Sequence, residues 1–415
     1  MMRGAWGPGV ARRSLALGAA VIALGATIAC GGSSKNSNNA PASNDGGTTS
    51  SSEGGSPANP NVAAFEAGTP IDVSSIPAMN WTFVPIDGAI CRDGSATGIG
   101  VNLNPQSTQL AIYLEGGGAC FNSVTCGANP AKFGMSDFAG RFMGNSGGGG
   151  ILNRTDAANP IKDWNLVYVP FCTGDVHAGN APNTMVQGVG VQQFVGYVNM
   201  SLYLARLVPT FKNLTKVLLT GVSAGGFGAA ANYPQTARAF APVPVYDLDD
   251  SGPPMEDPYV PKCLQQEWAQ LWGFDKTILA ECGSDCPDPT NYTLDATLHT
   301  AKMYPNVPFG LVEDTDDSVI TLFYGFGGNN CMTGPLGFPT PVSGSTFTAG
   351  LLDERMKLSA YKNFGSFIFQ GTAHTSLGGT TLDTVTAGGD EGGPTVKLSD
   401  WVTQIVANNV TNAGP

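Results

Sequence analysis

The chain has 415 residues with a formal net charge of −12, and 42% of them are hydrophobic. A chain of this length and apolar content can bury a sizeable core in one or two domains. Its acidic surface repels phosphate groups and anionic headgroups, so nucleic acid and anionic membranes are excluded as expected partners.

The N-terminus has the features of an export signal. Arg3, Arg12 and Arg13 form a positive region, and an apolar stretch follows over residues 15–28. This stretch is too short and too rich in small residues to be a membrane-spanning helix. We therefore predict that residues 1–29 are a bacterial secretory signal peptide.

A lipid anchor and a tether are predicted to follow the signal peptide. Cys30 comes directly after a small residue at the end of the apolar stretch, which resembles the lipobox of bacterial lipoproteins. Residues 31–60 are mainly Ser, Asn, Gly and Pro, a composition that cannot form a core. We predict that residues 30–61 are a lipidated cysteine with a disordered tether. The protein is then an exported cell-envelope lipoprotein or a secreted protein.

The remaining cysteines predict disulfides rather than a metal site. Their even number in an exported protein favours disulfide bonds. No C-x-x-C pair occurs and histidines are few, so we predict neither zinc nor any other cofactor. Residues 263–286 form a cysteine-bearing insertion that we place over the active site. The sequence leaves the pairing open, although Cys120 with Cys126 and Cys282 with Cys286 are close enough for local loops. The eight cysteines are Cys91, Cys120, Cys126, Cys172, Cys263, Cys282, Cys286 and Cys331.

Residues 62–415 are predicted to form one α/β domain and to act as a monomer. Apolar runs predict strands at 111–114, 165–170, 241–245, 308–312 and 364–369, and another beginning at Lys216. Helices are predicted over 192–208, after Ser223, and over 400–408 with Ser399 as N-cap. Alternation of strands and helices favours a mainly parallel sheet with helices on both faces, stabilised by disulfides.

The segment Lys216–Gly228 carries the strongest catalytic signal. An apolar strand leads into Gly221-Val222-Ser223-Ala224-Gly225, and small residues suited to a helix follow. This order of strand, G-x-S-x-G and helix is what a nucleophile elbow requires. The turn is tight, so the residues two before and two after the serine must lack bulk. Ser223 is therefore the predicted nucleophile.

A glycine run predicts an oxyanion hole. Glu115-Gly116-Gly117-Gly118 ends an early strand, where bare backbone N–H groups can approach a substrate oxygen. No Gly-Lys-Ser/Thr follows, so the run is not a phosphate loop. We expect the N–H groups of Gly117, Gly118 and Ala224 to bind the oxyanion.

Three histidines occur, and one of them must act as general base if the protein is a serine hydrolase. His374 follows a late strand and precedes the last helix, which is where an α/β hydrolase carries its base. His299 lies in a predicted helix and is expected to be a surface or packing residue. His177 is either structural or close to the cleft.

The acid of the triad should lie between the serine and the histidine in sequence. Asp317 is the first choice because Asp317-Ser318-Val319-Ile320 is similar to the run that follows the acid strand in such hydrolases. Asp316 is the next choice. Asp250, in an acidic loop predicted around residues 247–257, is an outside candidate. Each of these carboxylates could instead be a solvated side chain or a weak calcium ligand.

Several motifs together resemble the pectin acetylesterase family, which includes plant and bacterial polysaccharide deacetylases and an animal Wnt deacylase. The motifs are YLEGGGAC from Tyr113, CTGDVH from Cys172, GVSAGG from Gly221 and DSG from Asp250. The resemblance covers most of residues 81–375. It implies an α/β-hydrolase fold, carboxylester hydrolysis, and a triad of Ser223, His374 and an aspartate near Asp317.

The chain departs from this family at two positions. Thr375 stands where plant and animal members usually have a cysteine after the base histidine, so that disulfide is missing. Gly118 stands where many members have tryptophan, so the lining of the acyl pocket should differ.

These features predict a serine carboxylesterase that removes short acyl groups, such as O-acetyl groups of pectin or another polysaccharide, through an acyl-enzyme. A serine peptidase and a long-chain deacylase would use the same residues. A third possibility is a surface lipoprotein that binds ligands without catalysis. The expected partner is an acylated carbohydrate or another ester.

Overall fold

The structure is a computed structural model, and it describes residues 64–142, 148–332, 338–379, 382–389 and 392–415. The predicted signal peptide, Cys30 and the tether lie outside these residues. Export, lipidation and the domain bounds therefore stay predictions. Within the described residues, no helix combines the length and the apolar character needed to cross a bilayer.

A sheet of eight strands forms the centre of the described chain. The strands are β1 (Trp81–Ile90), β2 (Ala96–Asn102), β3 (Gln109–Leu114), β4 (Asn165–Val169), β7 (Lys216–Val222), β8 (Val245–Asp250), β9 (Phe309–Asp314) and β10 (Phe364–Phe369). Their order in the sheet is β1-β2-β4-β3-β7-β8-β9-β10. From β4 to β10 neighbouring strands are parallel, and β1 and β2 extend one edge in antiparallel fashion. This confirms the mainly parallel sheet.

Two small hairpins and a series of helices complete the described fold. The hairpins pair β5 (Ala181–Val186) with β6 (Gly190–Phe194) and β11 (Thr386–Ala387) with β12 (Val396–Lys397). The helices are α1 (Ser123–Ala128), α2 (Met135–Phe142), α3 (Gly196–Thr210), α4 (Ala224–Phe240), α5 (Lys262–Trp272), α6 (Ile278–Cys282), α7 (Thr293–Met303), α8 (Ile320–Tyr324), α9 (Gly328–Cys331), α10 (Gly344–Leu358) and α11 (Leu398–Val406).

Helices cover both faces of the sheet, as the alternation of elements predicted. In β3, Leu110 and Ile112 point to one face and pack in the same cluster as side chains of α3 and α4. Ala111 and Tyr113 point to the other face and join side chains of α2 and α11. Every residue of β3 after Gln109 is buried. A central parallel strand covered on both faces has this continuous apolar pattern.

The strand after the nucleophile helix lies further along the chain than its composition predicted. It spans Val245–Asp250 instead of 241–245, so that Asp247, Asp249 and Asp250 are buried strand residues and not part of a solvated acidic loop. Burial raises the pKa of Asp247 and Asp249 well above the usual range. Neutral carboxyl groups can occupy a strand interior that ionised ones would destabilise.

Two predicted helices also begin elsewhere. Residues 192–194 belong to β6, and α3 begins at Gly196. The last helix begins at Leu398 with Lys397 as N-cap, so Ser399 is wrong as a capping residue. Ser399 is buried, and its N–H donates to the Leu382 carbonyl.

Four disulfides pair all eight cysteines of the described chain. Two of them close the predicted local loops, Cys120–Cys126 and Cys282–Cys286. The other two span 81 and 68 residues of sequence, Cys91–Cys172 and Cys263–Cys331. These long loops are the ones whose closure restricts the unfolded chain most. The prediction of a disulfide-stabilised fold is confirmed.

Candidate active site

Ser223 occupies a strained turn between β7 and α4. Its backbone has φ +56° and ψ −124°, a combination that a residue with a side chain rarely adopts. The turn is held by hydrogen bonds, since the Ser223 N–H donates to the Asp250 carbonyl at 2.7 Å and the Ser223 carbonyl accepts from Gly226 at 2.8 Å. The backbone therefore has the conformation of a nucleophile elbow.

The glycines on either side of Ser223 are required by close backbone packing. A methyl group on Gly221 would overlap the Gly225 carbonyl, and one on Gly225 would overlap the Leu114 carbonyl. On the facing loop, a methyl group on Gly116 would lie 2.9 Å from Ser223 Cβ. The glycine loop after β3 and the serine turn are thus in direct contact.

His374 lies in the loop after β10, and its ring is held by Asp317. The distance from His374 Nδ1 to Asp317 Oδ2 is 2.7 Å. The Asp317 side chain is 0% exposed, and its Oδ1 accepts the N–H groups of Val319 and Ile320, both at 2.8 Å. A carboxylate accepts hydrogen bonds, so the shared proton belongs on Nδ1 and the lone pair of His374 is on Nε2. This is the tautomer that a general base needs.

Asp316 lies beside this pair but does not contact the histidine ring by a hydrogen bond. Its N–H donates to the Gly371 carbonyl at 3.1 Å, and its carboxylate packs against Gly344 at the start of α10. Of the two adjacent aspartates, the structure brings Asp317 to His374.

Two further carboxylates hold the backbone of the histidine loop. Asp314 Oδ2 accepts from the Ala373 N–H at 2.9 Å. Asp250 Oδ2 accepts from the N–H groups of Ser376 at 2.8 Å and Leu377 at 2.6 Å. Burial raises the pKa of Asp250 to about 6, and the two N–H groups and His374 oppose that rise. Asp250 thus holds the loop of His374 and does not hydrogen-bond its ring.

The glycine loop presents free N–H groups beside Ser223. Within the described residues, no acceptor takes the N–H of Gly117 or Gly118, and Ala224 is the first residue of α4, where N–H groups lack an intrahelical acceptor. Asn129 Nδ2 donates to the Gly117 carbonyl at 2.7 Å. Because a trans peptide is planar, this bond turns the N–H of Gly118 away from Asn129.

His177 is a buried structural residue. Its Nε2 lies 2.8 Å from the carbonyl of Glu115, directly before the glycine loop. Burial lowers the pKa of His177 to about 4, so the ring is neutral near pH 7 and donates from Nε2 to that carbonyl. Its contact is with the backbone that supports the glycine loop.

His299 lies in α7, as predicted, and pairs with a carboxylate on the neighbouring turn. The distance from its Nδ1 to Asp285 Oδ2 is 2.9 Å, and Lys302 Nζ bonds the same oxygen at 2.9 Å. The histidine is half-buried, and this ion-pair cluster holds the short loop closed by the Cys282–Cys286 disulfide.

A mainly apolar cavity begins at the serine turn and follows α4. Gly118, Ser223 and Ala224 line it, and further lining residues of α4 continue to Pro234. Helices of the cysteine-bearing insertion form part of its wall. Further lining residues include Trp268, Trp272, Ile278, Ala296, Phe323 and Tyr324.

Comparison with known proteins shows the family of the chain. The pectinacetylesterase family profile matches residues 75–307, more than half of the chain. The chain belongs to the pectinacetylesterase family. The match includes the glycine loop and Ser223 and ends before Asp317 and His374.

Curated relatives of this family member are carboxylesterases. Palmitoleoyl-protein carboxylesterase notum2 of Xenopus laevis is 34% identical over 156 residues, covering 35% of this chain and 30% of that protein. The Notum protein of Drosophila melanogaster is 26% identical over 230 residues, covering 51% and 34%. The aligned part of the chain thus spans about a third of the length of these relatives.

A solved structure shares the fold. The Wnt deacylase Notum from Drosophila superposes with a TM-score of 0.56 at 18% identity, covering 81% of this chain and 96% of that one. This likeness confirms the α/β-hydrolase fold and carries no statement about substrate.

Sequence reasoning missed the residues that support the site. Asn129 has no motif around it, and it comes near the glycine loop because α1 and the Cys120–Cys126 disulfide fold the chain back. The sequence indicates Asp250 as an outside candidate for the acid, or as a solvated or calcium-binding carboxylate, and not as an acceptor for the histidine loop. Its place at the carboxyl end of a central strand, where parallel-sheet sites form, was the available signal.

Proposed function

We propose that this protein is a serine carboxylesterase in which Ser223 is the nucleophile, His374 the general base and Asp317 the acid. The observation that carries the proposal is the 2.7 Å contact of His374 Nδ1 with the buried Asp317, in a fold whose elbow serine has the strained backbone of a nucleophile. Membership in a family of carboxylesterases supports the reaction class.

The chemistry is an acyl transfer in two steps. His374 Nε2 takes the Ser223 Oγ proton as Oγ forms a bond to the ester carbonyl carbon, and Asp317 stabilises the imidazolium. The N–H groups of Gly117, Gly118 and Ala224 stabilise the oxyanion. The alcohol leaves with the proton from His374, and water, activated by the same histidine, releases the acid.

The family supports an acetylated polysaccharide such as pectin as the substrate, with removal of its O-acetyl groups as the reaction. The cavity favours a second candidate, removal of a long acyl chain. Lining residues of α4 extend from Ala224 to Pro234, which is about 15 Å of helix at 1.5 Å per residue. An acetyl group would fill only its beginning. Relatives named palmitoleoyl-protein carboxylesterases support the same alternative.

The test uses the chain from residue 62 onward, produced with its disulfides formed. Hydrolysis of p-nitrophenyl acetate, butyrate and palmitate is compared for wild type, Ser223→Ala, His374→Ala, Asp317→Ala and Asp316→Ala. We expect Ser223→Ala and His374→Ala to lose at least about 10³-fold in kcat. Asp317→Ala should lose more activity than the neighbouring control Asp316→Ala.

The chain-length profile decides between the substrates. A preference for acetate supports the deacetylase, and a preference for palmitate supports the long-chain deacylase. Full activity of Ser223→Ala would overturn the triad, and cleavage of a peptide amide faster than the esters would favour a peptidase. Failure of a fluorophosphonate probe to label Ser223 would favour a non-catalytic binding protein.

A further inference from the structure

Asp250 bonds both to Ser223 and to the loop of His374. Its backbone carbonyl accepts the Ser223 N–H at 2.7 Å. Its side chain accepts the Ser376 and Leu377 N–H groups at 2.8 and 2.6 Å. The nucleophile turn and the histidine loop follow strands β7 and β10, which are separated in the sheet by β8 and β9.

The position of Asp250 leaves it little freedom to move. The residue ends β8 and is 1% exposed, and its other carboxylate oxygen accepts from Ser251 Oγ at 3.2 Å. Its N-terminal neighbours belong to the central sheet. A short side chain fixed at the end of a central strand is a rigid support. Strands and helices position functional side chains more precisely than loops do.

The histidine loop, in contrast, has no regular secondary structure to fix it. Residues 372–375 belong to neither helix nor strand, and Thr375 has a φ of +60°. Asp314 holds Ala373, Asp317 holds the ring of His374, and Asp250 holds Ser376 and Leu377. Without Asp250, the N–H groups of Ser376 and Leu377 lose the carboxylate oxygen that accepts them both.

We propose that Asp250 is a positioning residue that sets the placement of His374 relative to Ser223. This inference rests on the proposed triad. Proton transfer from Ser223 Oγ to His374 Nε2 needs hydrogen-bond reach between them, and a misplacement of about 1 Å can cost on the order of 10²-fold in rate. The Asp250 bonds act on this distance and do not touch the substrate.

The test compares Asp250→Ala, which removes the acceptor, with Asp250→Asn, which keeps a side-chain carbonyl that can accept both N–H groups. We expect kcat for p-nitrophenyl acetate to fall by about 10²-fold in Asp250→Ala with little change in KM. Asp250→Asn should recover most of kcat. Asp316→Ala is the matched control, because its carboxylate lies nearby but does not bond to the histidine loop.

A spectroscopic readout separates positioning from a general loss of stability. The Nδ1–H of His374, bonded to Asp317, gives a downfield proton resonance that is identified by its absence in His374→Ala. We expect Asp250→Ala to lose or shift this resonance and Asp250→Asn to keep it. If Asp250→Ala does not fold, Asp250→Leu, which keeps the branched shape of the side chain without an acceptor, replaces it.

Two results would overturn the inference. One is wild-type kcat and an unchanged resonance in a folded variant that lacks the acceptor. The other is an equal loss in Asp250→Asn and Asp250→Ala, which would mean that the charge and not the loop placement matters. If Ser223→Ala is inactive while Asp250→Ala is fully active, the positioning role fails and the triad stands. If Ser223→Ala is active, the triad itself fails.

Discussion

The peptide group between Gly117 and Gly118 has its carbonyl fixed by one side chain. Asn129 donates to this carbonyl, and its own Oδ1 accepts from Arg92 Nε at 3.1 Å. Arg92 is buried and also donates to the carbonyl groups of Cys126 and Asn129. A buried arginine thus holds an asparagine, which in turn orients an N–H of the proposed oxyanion hole.

Replacing Asn129 by Asp should weaken catalysis without removing substrate binding. The substitution keeps an acceptor for Arg92 but places an oxygen against the Gly117 carbonyl, so the peptide should rotate. We expect a loss of about 10–100-fold in kcat, below the 10²–10³-fold typical of deleting an oxyanion donor, with KM nearly unchanged. Steady-state kinetics with p-nitrophenyl acetate measures this.

Asn122→Asp is the matched control for this change. Asn122 uses its side-chain oxygen to accept from Val124 and Thr125 at the start of α1, and an aspartate keeps that role. Affinity for a trifluoromethyl ketone, which forms a tetrahedral adduct with the serine, should fall in Asn129→Asp alongside kcat. An unchanged affinity would contradict the oxyanion role of this peptide.

The cavity along α4 is formed by one helix face and the helices packed opposite. Ala231 lies seven residues after Ala224, about 10 Å along the helix axis. It is half-buried because it faces the cavity. A small residue at this position leaves room for an acyl chain beyond its first few carbons.

Ala231→Phe should therefore shorten the range of acyl chains accepted. We expect turnover of p-nitrophenyl palmitate to fall by more than about tenfold, because a bulky side chain in an apolar pocket rejects the extra methylene groups. Turnover of p-nitrophenyl acetate serves as the control within the same variant and should stay near wild type. Equal losses on both esters would mean that the acyl chain does not follow α4.

Local sequence signals predicted the elements that carry the chemistry. The strand before Ser223, the elbow glycines and the glycine loop are each encoded within a few adjacent residues. Strand β2, which lies between β1 and β4, is not among the predicted strands, since its ATGIGVN sequence is rich in glycine and resembles a loop. The predicted position of strand β8 is wrong because three of its six residues are aspartates, which in a sequence indicate a surface loop. In the structure, elements distant in sequence bury these side chains.

The residues that hold the catalytic loops could not be predicted from the sequence, because their contacts join distant parts of the chain. The residue pairs Asp250 with Leu377 and Arg92 with Asn129 are 127 and 37 positions apart. They meet because of strand order and helix packing, and no short pattern records either. The run after β9 favours Asp317 over Asp316, but the 2.7 Å contact of Asp317 with His374 depends on the path of two loops that are distant in sequence.

Buried carboxyl groups are concentrated in the interior near the strand ends. Asp249, Glu313 and Glu354 are all buried, and each has a side-chain oxygen without a hydrogen-bond partner in the described residues. Burial is the first cause that raises the pKa of each well above its usual range. At neutral pH the fold therefore holds protons that the unfolded chain has already released.

This arrangement makes the stability of the whole protein fall as pH rises. The pKa of Glu354 is raised in the folded state. The favourable contribution of Glu354 to the free energy of unfolding is therefore complete below the unfolded pKa near 4.5 and is lost as pH rises toward the folded pKa. In that window one such group lowers the free energy of unfolding by about 1.4 kcal/mol per pH unit. Asp249 and Glu313 act in the same direction.

Glu354→Met should remove the share of this pH dependence that belongs to Glu354. Neither carboxylate oxygen of Glu354 has a partner among the described residues, so methionine loses no hydrogen bond and adds apolar burial. We expect the variant to be more stable than wild type, by a margin that grows from pH 5.5 to pH 8.5. Urea unfolding with intact disulfides measures the margin.

Glu354→Gln is the control, because it also removes the ionisable proton and should flatten the pH dependence without the gain from apolar burial. A margin that is independent of pH would mean that Glu354 is ionised inside the folded protein.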